Sequence, residues 1–119
     1  MEAAKVEHLA YKYEAVEALV SGSNSLSVAA TDDAACQLGH WLRTGNGKVC
    51  FSRLGAFRQL ERAHGEFHRR TAAMLLADAP SASALQGVTA IDVAERTLMR
   101  ALDQLMVEAE QNADVFCSA

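Results

Sequence analysis

The sequence predicts an all-α domain, and three observations favour that fold class. Half of the residues are hydrophobic and only one of 119 is proline, while alanine and leucine outnumber β-branched and aromatic residues, which favours helix. Three long segments place apolar residues three and four positions apart, the spacing of one buried helical face. Clusters of glycine, serine and proline separate these segments. The sequence therefore predicts a four-helix bundle in which one helix is short.

The first helix is predicted over residues 4–20. Its expected buried face comprises apolar positions alternately three and four apart: Val6, Leu9, Tyr13, Val16 and Val20. His8 lies one position from this face and is expected at its boundary. The sequence SGSNS at 21–25 ends the helix, because serine favours turns and Gly22 can adopt the left-handed conformation that closes a helix.

The second helix is predicted to be short. Residues 26–32 show little pattern and are expected to form a loop, after which Thr31, Asp32 or Asp33 can cap a helix over 34–43. The sequence TGNG at 44–47 closes it. The sequence CQLGHW at 36–41 therefore lies on a short helix within an otherwise irregular connection.

Two long helices are predicted to complete the bundle. The third covers residues 49–79 and stops at Pro80 and Ser81. The fourth covers residues 83–116, and Glu95 interrupts its apolar face. The buried stripe of the third helix is predicted as Phe57, Leu60, His64, Phe67, Thr71, Met74 and Leu75, and that of the fourth as Leu85, Val88, Ile91, Leu98, Leu102, Leu105 and Ala109. The length of the chain fits one domain over residues 1–119.

Charge and hydropathy argue against several classes of function. The net charge is −4, and the densest basic group, Arg58, Arg62, Arg69 and Arg70, is interleaved with acidic residues, which argues against nucleic-acid binding. No apolar run approaches the roughly 20 residues of a membrane span. The first twenty residues include six charged side chains, which is not typical of a signal peptide. We therefore expect a cytoplasmic protein without membrane insertion.

The chain has three cysteines, Cys36, Cys50 and Cys117. An odd number without framework spacing, in a reducing compartment, predicts thiols, metal ligands or redox sensors rather than structural disulfides. Cys50 follows a glycine turn more than three helical turns before His64, so it is not expected to share a site with that histidine. Cys117 lies near the C-terminus, where helices fray.

The sequence HGEFH contains His64 and His68, four residues apart. Residues four apart lie above one another on a helix, so both imidazoles can face one metal ion. Taken alone, the pair also fits a core histidine hydrogen-bonded to a carbonyl or to Glu61. Glu66 is not at the position that the zinc-protease motif H-E-x-x-H requires, which gives little support to a hydrolase.

Four candidate ligands become significant together. His8 alone is compatible with a boundary histidine, and Cys36 alone with a small buried residue. Three histidines and one cysteine on three helices that must pack together, however, supply the nitrogen and sulfur ligands of a closed tetrahedral Zn²⁺ site: His8, Cys36, His64 and His68. His40 lies four residues after Cys36 and is a weaker competitor that we expect to be exposed.

The order of these residues resembles the chemoreceptor zinc-binding (CZB) domain family. The resemblance rests on His8, on C-x-L-G-x-W as Cys36, Leu38, Gly39 and Trp41, and on H-x-x-x-H as His64 and His68. Leu38, Gly39 and Trp41 are expected to be structural. Family members often carry tryptophan three residues after the first histidine, where this chain has Tyr11 followed by the expected Lys12. This departure affects packing rather than the ligand set.

The resemblance implies a four-helix bundle that forms a homodimer and binds Zn²⁺ through His8, Cys36, His64 and His68. It also implies a sensory or regulatory module of bacterial signalling, of the chemotaxis or cyclic-di-GMP type, that acts on an output domain or partner protein. Zn²⁺ keeps Cys36 as an oxidisable thiolate, so the signal is either the level of zinc or an oxidant such as hypochlorous acid. The alternatives are a helical protein-interaction domain with structural zinc and a zinc hydrolase. No catalytic residue is predicted.

Overall fold

The computed structural model describes residues 2–21, 36–76 and 82–111, and these residues form five α-helices without a strand. The long helices are α1 (Glu2–Ser21), α4 (Gly55–Leu76) and α5 (Ala82–Gln111), and the short ones are α2 (Gln37–Arg43) and α3 (Asn46–Phe51). The all-α class is confirmed, whereas the predicted count of four helices differs from the five observed. No helix in these ranges is long and apolar enough to cross a membrane.

Helices α4 and α5 form the most extensive pairing, and α1 packs against both. The predicted stripe of α4 is buried from Phe57 to Met74, and the side chain of Leu75 lies outside the described part of the molecule. On α5 the predicted residues from Ile91 to Ala109 are buried, while Ala94 takes the buried position beside a half-buried Glu95.

Leu85 was predicted to be buried, and this prediction is wrong because the side chain is 72% exposed. A helix turns by about 100° per residue, so two residues three positions apart point in directions that differ by about 60°. Leu85 is two such steps from the buried Ile91, so the two side chains point about 120° apart and Leu85 lies off the buried face. At this end of α5 it is Gly87 that approaches α4, where a Cβ atom would lie 3.1 Å from Cγ of Met74.

The predicted buried face of α1 is wrong at Val6 and Tyr13, whereas Val16 packs against the core, Leu9 is half-buried, and the side chain of Val20 lies outside the described part of the molecule. Val6 and Tyr13 are 66% and 65% exposed, whereas His8, Ala15 and Ala18 are buried. The apolar periodicity of the exposed face is the same as that of the buried face, so spacing alone could not distinguish them. The small alanines allow α1 to approach the other helices closely. Ion pairs from Lys12 to Asp92 (2.8 Å) and from Lys5 to Asp103 attach α1 to α5.

The third long helix begins at Gly55 rather than near residue 49, because residues 46–51 form the separate helix α3. Gly47 lies against the indole of Trp41, and a Cβ atom there would be 2.4 Å from Cε3. This contact turns α3 back onto α2, where the rings of Trp41 and Phe51 are 5.6 Å apart. The sequence TGNG thus ends α2 as predicted, but it also starts a new helix.

Several predicted boundaries lie outside the described residues. These are the loop at 26–32, the caps at Thr31, Asp32 and Asp33, the stop at Pro80 and Ser81, and the helical end near residue 116. The beginning of α2 is described, and it differs from the prediction. Cys36 lies just before the helix as its N-cap, with φ −79° and ψ 163°, rather than inside a helix over 34–43.

Candidate metal centre

His8 is fully buried on α1, although the sequence placed it at a boundary. Its Nδ1 lies 2.8 Å from the carbonyl oxygen of Ala4. A carbonyl can only accept a hydrogen bond, so Nδ1 carries the proton and donates it. The lone pair is therefore on Nε2, the nitrogen that faces the other candidate ligands.

His64 and His68 lie one turn apart on the buried face of α4, and both are almost inaccessible to solvent. Their ring centroids are 4.7 Å apart, and the ring of His8 lies 4.9 Å from that of His64 and 5.5 Å from that of His68. Phe67, also fully buried, packs edge-on against His8 and His68. This packing fixes the three imidazoles at the junction of α1 and α4.

Cys36 reaches the same point from the beginning of α2. Its Sγ accepts a hydrogen bond of 3.3 Å from the backbone N–H of Gly39, which satisfies one of the unpaired donors of the first helical turn. The thiol of Cys36 is buried and takes no part in a disulfide. Gly39, expected from the sequence to be structural, thus also contacts the sulfur through its backbone.

The four residues form one buried cluster, in which the ligand atoms all lie within 4.8 Å of one another. Sγ of Cys36 is 3.1 Å from Nε2 of His64 and 3.7 Å from Nε2 of both His8 and His68. The Nε2 atoms of His8 and His64 are 3.1 Å apart.

These distances can be compared with those around tetrahedral zinc. Bonds of about 2.3 Å to sulfur and about 2.0–2.1 Å to nitrogen place sulfur and nitrogen about 3.6 Å apart and two nitrogens about 3.3 Å apart. Four of the six separations, at 3.1–3.7 Å, are close to these values, and the other two are at most 4.8 Å. The set of three imidazoles and one thiol is also one that zinc prefers. The cluster therefore fits Zn²⁺ in both chemistry and spacing.

Burial lowers the pKa of two of the clustered histidines, His8 and His64. It lowers the pKa of His8, although the carbonyl of Ala4 and the charge of Glu7 partly oppose this shift. The pKa of His64 is lowered to about 3, mainly by burial and additionally by the neighbouring His68, His8 and Arg43. The fold thus favours neutral imidazole, which is the form that binds metal ions.

The remaining histidine and cysteines are not part of this cluster. His40 is exposed, as predicted, and its Nδ1 lies 3.1 Å from Oγ1 of Thr44. Cys50 is buried in α3 and disulfide-bonded, so the prediction that the cysteines would not form disulfides is wrong for this residue. Pairing depends on distance in the fold, which spacing along the chain does not reveal. Cys117 lies outside the described residues.

Two residues beside the cluster were not predicted as part of the site. The ring of Tyr11 lies 5.7 Å from that of His8 and 6.2 Å from that of His68, and its position three residues after His8 places it on the same face of α1. Glu7 contacts both His8 and the backbone that follows Cys36. No pattern in the sequence identified Glu7, because its contact with α2 depends on the tertiary fold.

Fold and site together define a helical domain with a buried cluster of three histidines and one cysteine that is able to hold a metal ion. The sequence matches the chemoreceptor zinc-binding domain family over residues 8–75, a span that includes all four members of the cluster. The chain belongs to this family, whose members are signalling and sensory domains. Searches of curated proteins and of solved structures found no match.

Proposed function

We propose that this chain is a sensory or regulatory module in which His8, Cys36, His64 and His68 bind one Zn²⁺ and Cys36 is the ligand that responds to the signal. The observation that supports the proposal most directly is the buried cluster, in which four ligand atoms lie within 4.8 Å. Four protein ligands correspond to a closed site, whereas catalytic zinc sites have three protein ligands and an open position for water. We therefore propose no enzymatic role.

Cys36 is suited to the role of switch because its sulfur connects α2 to two long helices. It contacts His8 on α1 and both His64 and His68 on α4. When bound, the metal keeps this sulfur in its thiolate form. Hypochlorous acid attacks such a thiolate, the sulfur loses two electrons and becomes a sulfenic acid, and chloride leaves. The oxidised sulfur is a weaker ligand, so α2 loses its attachment to α1 and α4.

Release of Cys36 would affect the position of α2. This helix has only seven residues, and isolated helices shorter than about 12–15 residues are marginal in water. Its position depends on packing by Leu38 and Leu42 and on the cluster. Movement of α2 would change the packing of α1 and α4, through which the module would act on an output domain or partner protein. We further propose that the module works in the cytoplasm in bacterial signalling and that it forms a homodimer. Analytical ultracentrifugation tests the dimer.

The deciding experiment is metal analysis of the purified protein before and after treatment with hypochlorous acid, together with mass spectrometry of Cys36. We expect about one zinc per chain, and loss of zinc in parallel with oxidation of Cys36. Cys36→Ala and His68→Ala should lose zinc, while the matched control His40→Ala should keep it. A protein that holds no zinc would refute the proposal. Zinc that stays bound under oxidation would instead support a structural role.

A further inference from the structure

Glu7 directly precedes His8 in the sequence and lies beside the cluster in the fold. One carboxylate oxygen, Oε2, accepts a hydrogen bond of 3.3 Å from the backbone N–H of Gln37, the first residue of α2. The other, Oε1, is buried without a hydrogen-bond partner among the described residues and lies 3.7 Å from Nδ1 of His8. A single side chain of α1 therefore contacts one candidate ligand directly and the peptide next to another.

Packing beneath α2 is incomplete at the same place. A cavity of about 420 Å³ lies between α1, α2, α3 and α5, and its walls include Glu7, Gln37, Leu38 and Trp41. This cavity is open to solvent, so the side chains that line it have no protein neighbours on that side. Close packing therefore does not by itself fix the beginning of α2 against α1, and the hydrogen bond from Gln37 to Glu7 gains importance.

The negative charge of Glu7 also favours its contacts with the beginning of α2 and with His8. Backbone N–H groups in the first turn of a helix have no partner within the helix, and a carboxylate there forms a charge-assisted hydrogen bond. A carboxylate beside the protonated nitrogen of a histidine also makes the opposite nitrogen a better metal ligand. Here Nδ1 of His8 donates to Ala4, and the carboxylate of Glu7 adds a negative charge on that side of the ring.

We propose that Glu7 is a positioning residue of this centre: it holds the beginning of α2 against α1, so that Sγ of Cys36 stays within reach of the three imidazoles. This inference rests on the proposed zinc site and adds a fifth residue that is not a ligand. Loss of Glu7 would weaken the site without removing any metal-binding atom. Loss of a residue next to a ligand typically lowers metal affinity about 10- to 100-fold.

The test compares Glu7→Ala, Glu7→Gln and Glu17→Ala in the full chain. Glu17 is exposed on the same helix, so its removal makes the same change in charge away from the site. Zinc affinity is measured by competition with a fluorescent chelator. We expect affinity to fall about 10- to 100-fold in Glu7→Ala, to fall less in Glu7→Gln, which keeps an oxygen acceptor, and to stay unchanged in Glu17→Ala. Wild-type affinity in Glu7→Ala would overturn the inference.

A second measurement does not require metal. Hydrogen exchange of the amides in α2 is followed in the metal-free proteins, and we expect faster exchange in Glu7→Ala than in wild type or Glu17→Ala. Equal exchange in all three would refute the positioning role, whatever the zinc content. If wild type binds no zinc, the proposed function fails, and this measurement alone decides whether Glu7 holds α2. Cobalt spectra add a check, since a displaced sulfur weakens the thiolate-to-metal absorption band.

Discussion

Sγ of Cys36 lies 3.1 Å from Nε2 of His64, although the two residues are 28 positions apart in the sequence. They come together because α2 begins at the point where α1 and α4 meet. The contact involves a residue that caps a helix of seven residues and one in the middle of a helix of 22. One side of the cluster thus lies within a long helix, while the other depends on a short segment.

Binding of zinc should stabilise the protein. An ion that binds only the folded chain contributes about 4 kcal/mol when its free concentration is a thousand times the dissociation constant. We expect thermal unfolding, followed by circular dichroism, to shift to lower temperature after treatment with a strong chelator and to recover when zinc is added back. Cys36→Ala should show little response to either treatment. Unfolding that is independent of metal in the wild type would contradict a site of this kind.

Replacement of Phe67 by alanine should be among the most damaging single changes in the core. Phe67 is fully buried and packs against the rings of His8 and His68, so Phe67→Ala should cost about 3–5 kcal/mol in the free energy of unfolding. Leu85→Ala is the matched control because Leu85 is 72% exposed, and its cost should stay within about 0.5 kcal/mol. Urea titration measures both. Similar losses in the two variants would contradict the described core.

Gly47 should not tolerate a side chain. A Cβ atom at this position would lie 2.4 Å from the ring of Trp41, so Gly47→Ala should cost about 1–3 kcal/mol as the indole shifts. Trp41 is the only tryptophan, and its fluorescence reports the change directly. At Gly55 an added Cβ meets no atom within 4 Å, so Gly55→Ala should leave the emission unchanged. A normal spectrum for Gly47→Ala would refute the stacking of α3 on Trp41.

Acid should destabilise the metal-free protein. The folded state lowers the pKa of His64 from 6.5 to about 3 because the ring is buried beside other histidines. Between these values the unfolded chain binds a proton that the folded chain does not, so protonation favours unfolding. The contribution of His64 to stability is complete above pH 6.5 and is lost as the pH falls toward 3.

Urea unfolding of the metal-free protein over this range of pH tests the expectation. His64→Gln removes the titrating group and should reduce the slope of stability against pH, whereas His40→Ala should leave it unchanged because His40 is exposed. A wild-type slope in His64→Gln would show that other groups control the response to acid.

The sequence predicted which four residues meet, because histidine and cysteine are rare in this chain and their spacing is distinctive. It did not predict how they are presented. On α1, His8 and two alanines are buried, whereas the larger Val6 and Tyr13 are exposed. A search for hydrophobic periodicity favours large apolar residues over alanine and histidine, so it selected the wrong positions. Cys36 acts as a cap rather than as part of a helix, because α2 begins at Gln37, three residues after the predicted start at residue 34. A boundary shift of this size is beyond what patterns can locate.

The contact of Gly47 with Trp41 was missed for a different reason. A glycine between turn residues predicts a chain reversal, and it does so whether or not a new helix follows. Only the tertiary fold brings the indole onto the glycine. The disulfide of Cys50 and the contacts of Glu7 likewise depend on distances across the fold, which a single sequence does not contain.

The spacing of the cluster along the chain also affects the order in which the protein folds. His8, Cys36 and His64 are separated by 28 residues in each step, and closing each loop costs about 3 kcal/mol of chain entropy. Helices α4 and α5 are separated by only five residues of sequence, so their pairing closes a much shorter loop. We therefore expect the pairing of α4 with α5 to form early in folding and the four ligands to come together last.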